Sequence, residues 1–152
     1  MISATPLQNA NVLLVEDNPI DIIMTRKALE EVDLPLRLHV IQDGEEALDF
    51  IRQNCNSRDT NSPCPDLILL DLNLPKKSGK EILSEIRQDP NTRVIPVIIL
   101  TTSSEDKDIV ECYSQSANCY ITKPLNVDNF KLAIQIIGKF WTEVAKLPQS
   151  PN

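Results

Sequence analysis

The sequence predicts an α/β fold: five parallel strands alternating with five helices, the helices covering both faces of one doubly wound sheet. Three observations carry that prediction. The runs Val12-Leu13-Leu14-Val15, Leu67-Ile68-Leu69-Leu70, Pro96-Val97-Ile98-Ile99-Leu100 and Cys119-Tyr120-Ile121 are near-continuous in apolar residues, as strands buried on both faces must be. Segments of helical length separate the strands, and a parallel pair needs such a right-handed crossover. Each run ends in a polar functional group: Glu16-Asp17, Asp71, Thr101 and Lys123-Pro124. Ligands of open α/β sheets sit beyond the carboxyl ends of the strands, so these groups are expected on one rim.

The first strand is read over residues 11–15. Asn18-Pro19 then starts a helix, with Asn as cap and Pro at the first helical position. Ile20, Met24, Ala28 and Val32 recur at four-residue steps and predict its buried face. The second strand falls within 34–42 and is ended by Asp43-Gly44; the second helix spans 45–53 with Ala47, Leu48 and Ile51 inward. Residues 54–65 are almost devoid of apolar side chains and read as a surface loop. The third strand (66–70) and third helix (80–88) follow, the latter stopped by Asp89-Pro90-Asn91. A fourth strand (94–100), a weakly apolar fourth helix (104–114), a brief fifth strand (118–121) and a long last helix (126–146) complete the order. The organisation is thus one domain over 11–146 with short tails at 1–10 and 147–152.

Bulk properties narrow the function. The 152 residues carry a net charge of −7, which argues against direct contact with nucleic acid or an anionic membrane. No apolar run approaches the ~18–20 residues of a membrane span, and residues 1–10 are too short and polar for a secretory signal. Cys55, Cys64, Cys112 and Cys119 lack C-x-x-C spacing, so reduced structural thiols in a cytoplasmic protein are expected rather than a zinc site or disulfides. With glycine only at 44, 79 and 138, no phosphate-cradling glycine-rich loop exists. The single histidine, His39, lies mid-strand and reads as a packing or edge residue without an activating partner.

The strand-end groups suggest chemistry together. Glu16 and Asp17 alone would be solvated turn acids. With Asp71 at the same end of another strand they form a cluster whose mutual repulsion a divalent cation relieves, and Mg²⁺ prefers such oxygens. Asn73 can offer its backbone carbonyl to the same ion. A carboxylate such as Asp71 can take a phosphoryl group. Thr101 can donate a hydrogen bond to phosphoryl oxygen, and Lys123 brings a point charge suited to phosphate. Gly79 is expected to relieve crowding beside Asp71. A cis Lys123-Pro124 bond would aim the lysine inward, but the sequence favours trans.

In order and spacing, Glu16-Asp17, Asp71 with Asn73-Leu74-Pro75, Gly79, Thr101 and Lys123-Pro124 resemble the motifs of the receiver domains of two-component response regulators, from about Val12 to Lys146. The resemblance implies a flavodoxin-like (βα)5 fold with strand order 2-1-3-4-5. It makes Asp71 the phosphoacceptor and gives Mg²⁺ to Asp17, Asp71 and the Asn73 carbonyl, with Glu16 assisting through water. Thr101 and Lys123 would bind phosphoryl oxygens, and Tyr120 matches an aromatic switch that turns inward when Thr101 moves toward the phosphoryl group. Such a chain is a signalling protein rather than a turnover enzyme, its phosphoryl group arriving from a histidine kinase. The long loop before the third strand, Leu100-Thr101-Thr102-Ser103-Ser104, 117–124 and Phe140-Trp141 further resemble stand-alone regulators paired with cyanobacterial phytochrome kinases. That narrower likeness implies a phytochrome-type kinase partner, no output domain, and a homodimer through the C-terminal helix region, with Leu132 and Ile136 or the Phe140-Trp141 end as contacts. Two departures stand out: Thr102 where many receivers carry a small residue, and Ser78 in place of a common acid before the glycine.

Two other readings fit parts of this pattern. An aspartate-nucleophile phosphohydrolase would also use Asp, Thr, Lys and Mg²⁺, but needs a second acid two residues after the nucleophile, where Asn73 stands. A docking module that kept the fold and lost the chemistry would have no need of the intact site.

Overall fold

A computed structural model describes residues 9–56 and 63–148. Its elements run β1 (Ala10–Val15), α1 (Pro19–Glu30), β2 (Leu36–Ile41), α2 (Gly44–Cys55), β3 (Leu67–Leu70), α3 (Gly79–Gln88), β4 (Val97–Thr101), α4 (Asp106–Ser114), β5 (Cys119–Thr122) and α5 (Val127–Lys139), closed by a π-helical turn over Phe140–Val144. All four strand pairings are parallel, in the order β2-β1-β3-β4-β5. The (βα)5 fold class and strand order agree with those expected.

Alternation along the strands explains why the sequence runs look continuous. Leu13, Val15, Ile68, Leu70, Val97 and Ile99 point to one face, where Ala47 and Ile51 of α2, Ile82, Leu83 and Ile86 of α3, and Cys112 of α4 cover them. Val12, Leu14, Leu67, Leu69, Ile98 and Leu100 point to the other. There α1 supplies Ile22, Ala28 and Leu29, and α5 supplies Phe130, Ile134 and Ile137. Successive strand residues face opposite sides, so both sets must be apolar when both sides are covered.

Local signals set the helix starts. The side-chain oxygens of Asn18, Asp43, Ser78 and Asn126 accept backbone N–H bonds at the first turns of α1, α2, α3 and α5, satisfying donors that a helix start leaves open. Ser78 therefore has a capping role. His39 lies on the edge strand β2 against the Phe50 ring, centroids 5.9 Å apart, the packing role expected of it.

Four expectations need correction. The buried residues of α1 are Ile22, Thr25, Ala28 and Leu29, while Ile20 is exposed; steps of four residues drift about 40° per step around a helix of 3.6 residues per turn, so the inferred stripe wandered off the core. Strand β4 begins at Val97 because Pro96 has no N–H to enter the ladder. The last helix, read over 126–146, is α-helical only to Lys139 and passes into the π-helical turn that carries the exposed Phe140 and Val144. Finally, Cys55 and Cys64 are disulfide-bonded, their Cα atoms 4.8 Å apart, whereas Cys112 and Cys119 are free. The bonded pair flanks the loop before β3, and sequence spacing alone does not reveal that this loop returns its ends to bonding distance. The part of that loop at 57–62, like the tails at 1–8 and 149–152, lies outside the described residues.

Candidate functional site

The site forms where β1, β3, β4 and β5 end. Strand β1 runs directly into Glu16, which is buried, and Asp17, which is exposed before the Asn18 cap. The Asn18 N–H donates to Glu16 Oε2 at 3.2 Å, so the cap that starts α1 also orients this carboxylate. Asp71 follows β3 and is buried, its Oδ1 accepting from the Asn73 N–H at 3.3 Å. The loop beyond folds back so tightly that a Cβ on Gly79 would stand 2.1 Å from the Asp71 carbonyl oxygen. Only glycine fits there, the crowding relief expected from the sequence.

Lys123 follows β5, with its N–H donating to Thr101 O at 2.7 Å. No peptide bond among the described residues is cis, so the strand itself aims this side chain inward. Its Nζ, almost wholly buried, lies 2.5 Å from Glu16 Oε1, 2.8 Å from Asp21 Oδ2 and 3.3 Å from Asp71 Oδ2. Burial alone would depress the ammonium; hydrogen bonds to Asp21 and Glu16 and the charge of Asp71 instead hold it above its ordinary range. Glu16 moves the other way from a normal carboxyl, pushed up to about 7 by burial, with Lys123 opposing and Asp71 adding to the rise.

One ligand oxygen each from Glu16, Asp17 and Asp71 lies within 4.8 Å of the others. Hard carboxylate oxygens in excess over positive charge suit a divalent cation such as Mg²⁺ or Mn²⁺ rather than a soft metal. Thr101, fully buried, ends β4 beside β3, and its Oγ1 accepts from the Ser103 N–H at 3.5 Å. Every strand-end residue singled out in the sequence therefore lies on this rim.

The switch position differs from expectation in detail. Tyr120 packs against the core, and its hydroxyl donates to Ser103 O at 2.9 Å; burial raises its phenol. The inward position expected only after phosphorylation is already adopted, because the Ser103 carbonyl supplies the hydroxyl with an acceptor. Ser103 Oγ in turn donates to Asp108 Oδ2 at 2.5 Å, and Lys80 at the start of α3 pairs with both Asp108 and Glu111 on α4. Sequence reasoning missed this latch and, closer to the chemistry, Asp21. The signal for Asp21 was present, as an acid in the first turn of the helix that follows Glu16-Asp17, but it reads equally as a favourable helix-dipole residue.

Comparison with known proteins assigns the arrangement. Residues 12–135 match the model of the response regulator receiver domain. The chain belongs to the response regulator receiver family. It is 42% identical over 137 residues to response regulator Rcp1 of Synechocystis sp., spanning 90% of this chain and 92% of that protein. Among solved structures, the phosphorylated cyanobacterial phytochrome response regulator RcpA superposes with a TM-score of 0.85 at 42% identity, covering 93% of this chain and 99% of that one. The Mn²⁺-bound form of Rcp1 gives 0.84 at 41% identity, covering 92% and 99%. This is therefore a signalling protein related to phytochrome response regulators, and accepting a phosphoryl group is the general receiver function. Receivers bind Mg²⁺ or Mn²⁺ in an acidic pocket, which the Glu16, Asp17 and Asp71 cluster fits. No helix among the described residues is long and apolar enough to cross a membrane.

Proposed function

We propose that Asp71 accepts a phosphoryl group from the phosphohistidine of a histidine kinase, with Mg²⁺ as the resident cation. The observation that carries this reading is the buried Lys123 ammonium 3.3 Å from Asp71 Oδ2, beside the cluster of acids that suits a divalent ion. In the transfer, an Asp71 carboxylate oxygen forms the new P–O bond as the donor's P–N bond breaks. The electron pair returns to the imidazole nitrogen, which takes up a proton from solvent. Lys123 and the Thr101 hydroxyl donate to the phosphoryl oxygens, placing fixed positive potential where negative charge gathers. Asp17, Asp71 and the Asn73 carbonyl would hold Mg²⁺, with Glu16 acting through water. When bound, the ion supplies further charge neutralisation.

The transferred group adds about −1.5 to −2 charge at the rim. Thr101 then moves toward it and fixes Tyr120 in the inward position it already holds against Ser103 O, biasing the surface of α4, β5 and α5 between two arrangements. The relatives named as phytochrome response regulators support a phytochrome-type kinase in the cytoplasm as donor. Residues 11–146 act as one receiver unit, and the net charge of −7 disfavours direct contact with nucleic acid or an anionic membrane. A reducing cytoplasm would open the Cys55–Cys64 bond. Leu132, Ile136, Phe140 and Val144, all exposed near the end of α5, support a homodimer contact there. Sedimentation at micromolar concentration tests that contact, and a monomer both with and without phosphorylation defeats it.

The deciding experiment is mass spectrometry after incubation with acetyl phosphate and Mg²⁺. A gain of one phosphoryl group in the wild type, lost in Asp71→Asn, is the expected result. No gain in the wild type, or an equal gain in the variant, would overturn the reading.

A further inference from the structure

Lys123 presents three ammonium hydrogens to three carboxylates, and the acid it serves in phosphotransfer is the most distant. Glu16 and Asp21 lie at 2.5 and 2.8 Å against 3.3 Å for Asp71. Glu16 belongs to the acidic cluster, but Asp21 stands outside it. It sits on the first turn of α1, where its own N–H is tied to Asn18 Oδ1 at 3.2 Å, so the capped helix start fixes this carboxylate beside the ammonium. Most of the Asp21 side chain is shielded from solvent, which keeps its bond to Lys123 from being weakened by water.

We infer that Asp21 is a positioning residue that draws Lys123 toward α1 and thereby limits how fully the ammonium engages the phosphoryl group arriving at Asp71. The inference rests on Asp71 being the phosphoacceptor. During transfer from acetyl phosphate, the new bond joins an Asp71 oxygen to phosphorus and the departing acetate keeps the electron pair of the broken P–O bond. Lys123 must shift from its resting partners toward the phosphoryl oxygens as this happens. Releasing it from a charged acceptor therefore favours transfer, provided the effect runs through the lysine.

A double-mutant cycle tests that condition. Initial rates of mass gain are measured at saturating Mg²⁺ and limiting acetyl phosphate for the wild type, Asp21→Asn, Lys123→Gln and the pair. Asp21→Asn should raise the rate about five- to tenfold with Lys123 present, the net scale of one intramolecular hydrogen bond, and less than about twofold in the Lys123→Gln background. Asp21→Ser, which also removes the charge, should reproduce the rise should the asparagine variant fold poorly. An unchanged or lowered rate in both Asp21 variants overturns the inference. So does an equal rise in both backgrounds, which would assign Asp21 to direct repulsion of the anionic donor. A wild type that gains no mass defeats the phosphoacceptor reading itself, whereas a flat Asp21 effect in a competent wild type defeats this inference alone.

Discussion

The two rims of the same sheet solve opposite electrostatic problems. At the amino end, the guanidinium of Arg87 donates to the carbonyls of Ser116, Arg93 and Ile95 and to Asn118 Oδ1, at 2.7–3.1 Å. Asn118 Oδ1 also accepts from the Val97 N–H at 2.9 Å. One cation thus stitches the ends of α3 and α4 to the start of β4 through neutral acceptors. At the carboxyl end, Glu16, Asp17, Asp21 and Asp71 gather with one ammonium, Lys123. The first rim is matched within the protein; the second carries negative charge that only something added from outside can balance. Function sits at the end where like charges crowd together.

The strongest way to break this contrast is to remove the ammonium. Lys123→Ala leaves Glu16 and Asp71 buried without their cation, and losing one partner of a buried ion pair costs about 3–5 kcal/mol. Urea unfolding in a metal chelator should show that loss, and saturating Mg²⁺ should recover part of it. A variant as stable as the wild type without metal would mean that water already solvates these acids. At the other rim, Arg87→Ala should cost about 2 kcal/mol by leaving carbonyls without a donor, with phosphorylation from acetyl phosphate unchanged. A matching loss of phosphorylation would show that the rims are not independent.

A smaller effect comes from the carboxylate at the amino end. Asp66 accepts from the Asn11 N–H at 2.8 Å, yet burial raises its pKa despite that bond. A folded-state pKa above the unfolded one means that stability from this group is greatest at low pH and is lost as pH rises through the folded value. Asp66→Asn keeps an acceptor and removes the charge, so it should be more stable than the wild type at neutral pH. That advantage should vanish as pH falls below the ordinary carboxylate range, as measured by thermal midpoints across pH.

The contrast between the rims also marks how far the sequence could be read. Glu16, Asp71, Thr101 and Lys123 were legible because each ends an uninterrupted apolar run, and parallel strands bring such ends together regardless of loop detail. Asp21 was not, since its partner Lys123 lies 102 residues away and nothing local separates it from a helix-dipole acid. The Arg87 stitching was equally hidden, because four of its five hydrogen bonds go to main-chain carbonyls, which carry no sequence signature. The Cys55–Cys64 bond and the exposed side of α1 depended on loop closure and helix phase, quantities that residue spacing constrains only loosely.

The smallest expected effect probes the open side of the charged rim. Thr102 follows the buried Thr101, which ends the strand paired with the one leading into Asp71, and is itself exposed; we place it at the mouth through which water would reach a phosphoryl group on Asp71. Hydrolysis needs that water in line with the scissile bond, and a branched side chain at the mouth narrows its approach. Thr102→Ala should therefore shorten the phosphoryl lifetime, by about two- to threefold if access alone changes. Decay of the phosphorylated mass after donor removal measures it. The fold and the resting ion pairs of Lys123 do not involve this side chain, so stability should stay the same. Equal lifetimes would mean that water reaches phosphorus from elsewhere, and the α1 side of the pocket, beside Asp21, would then be the route to block next.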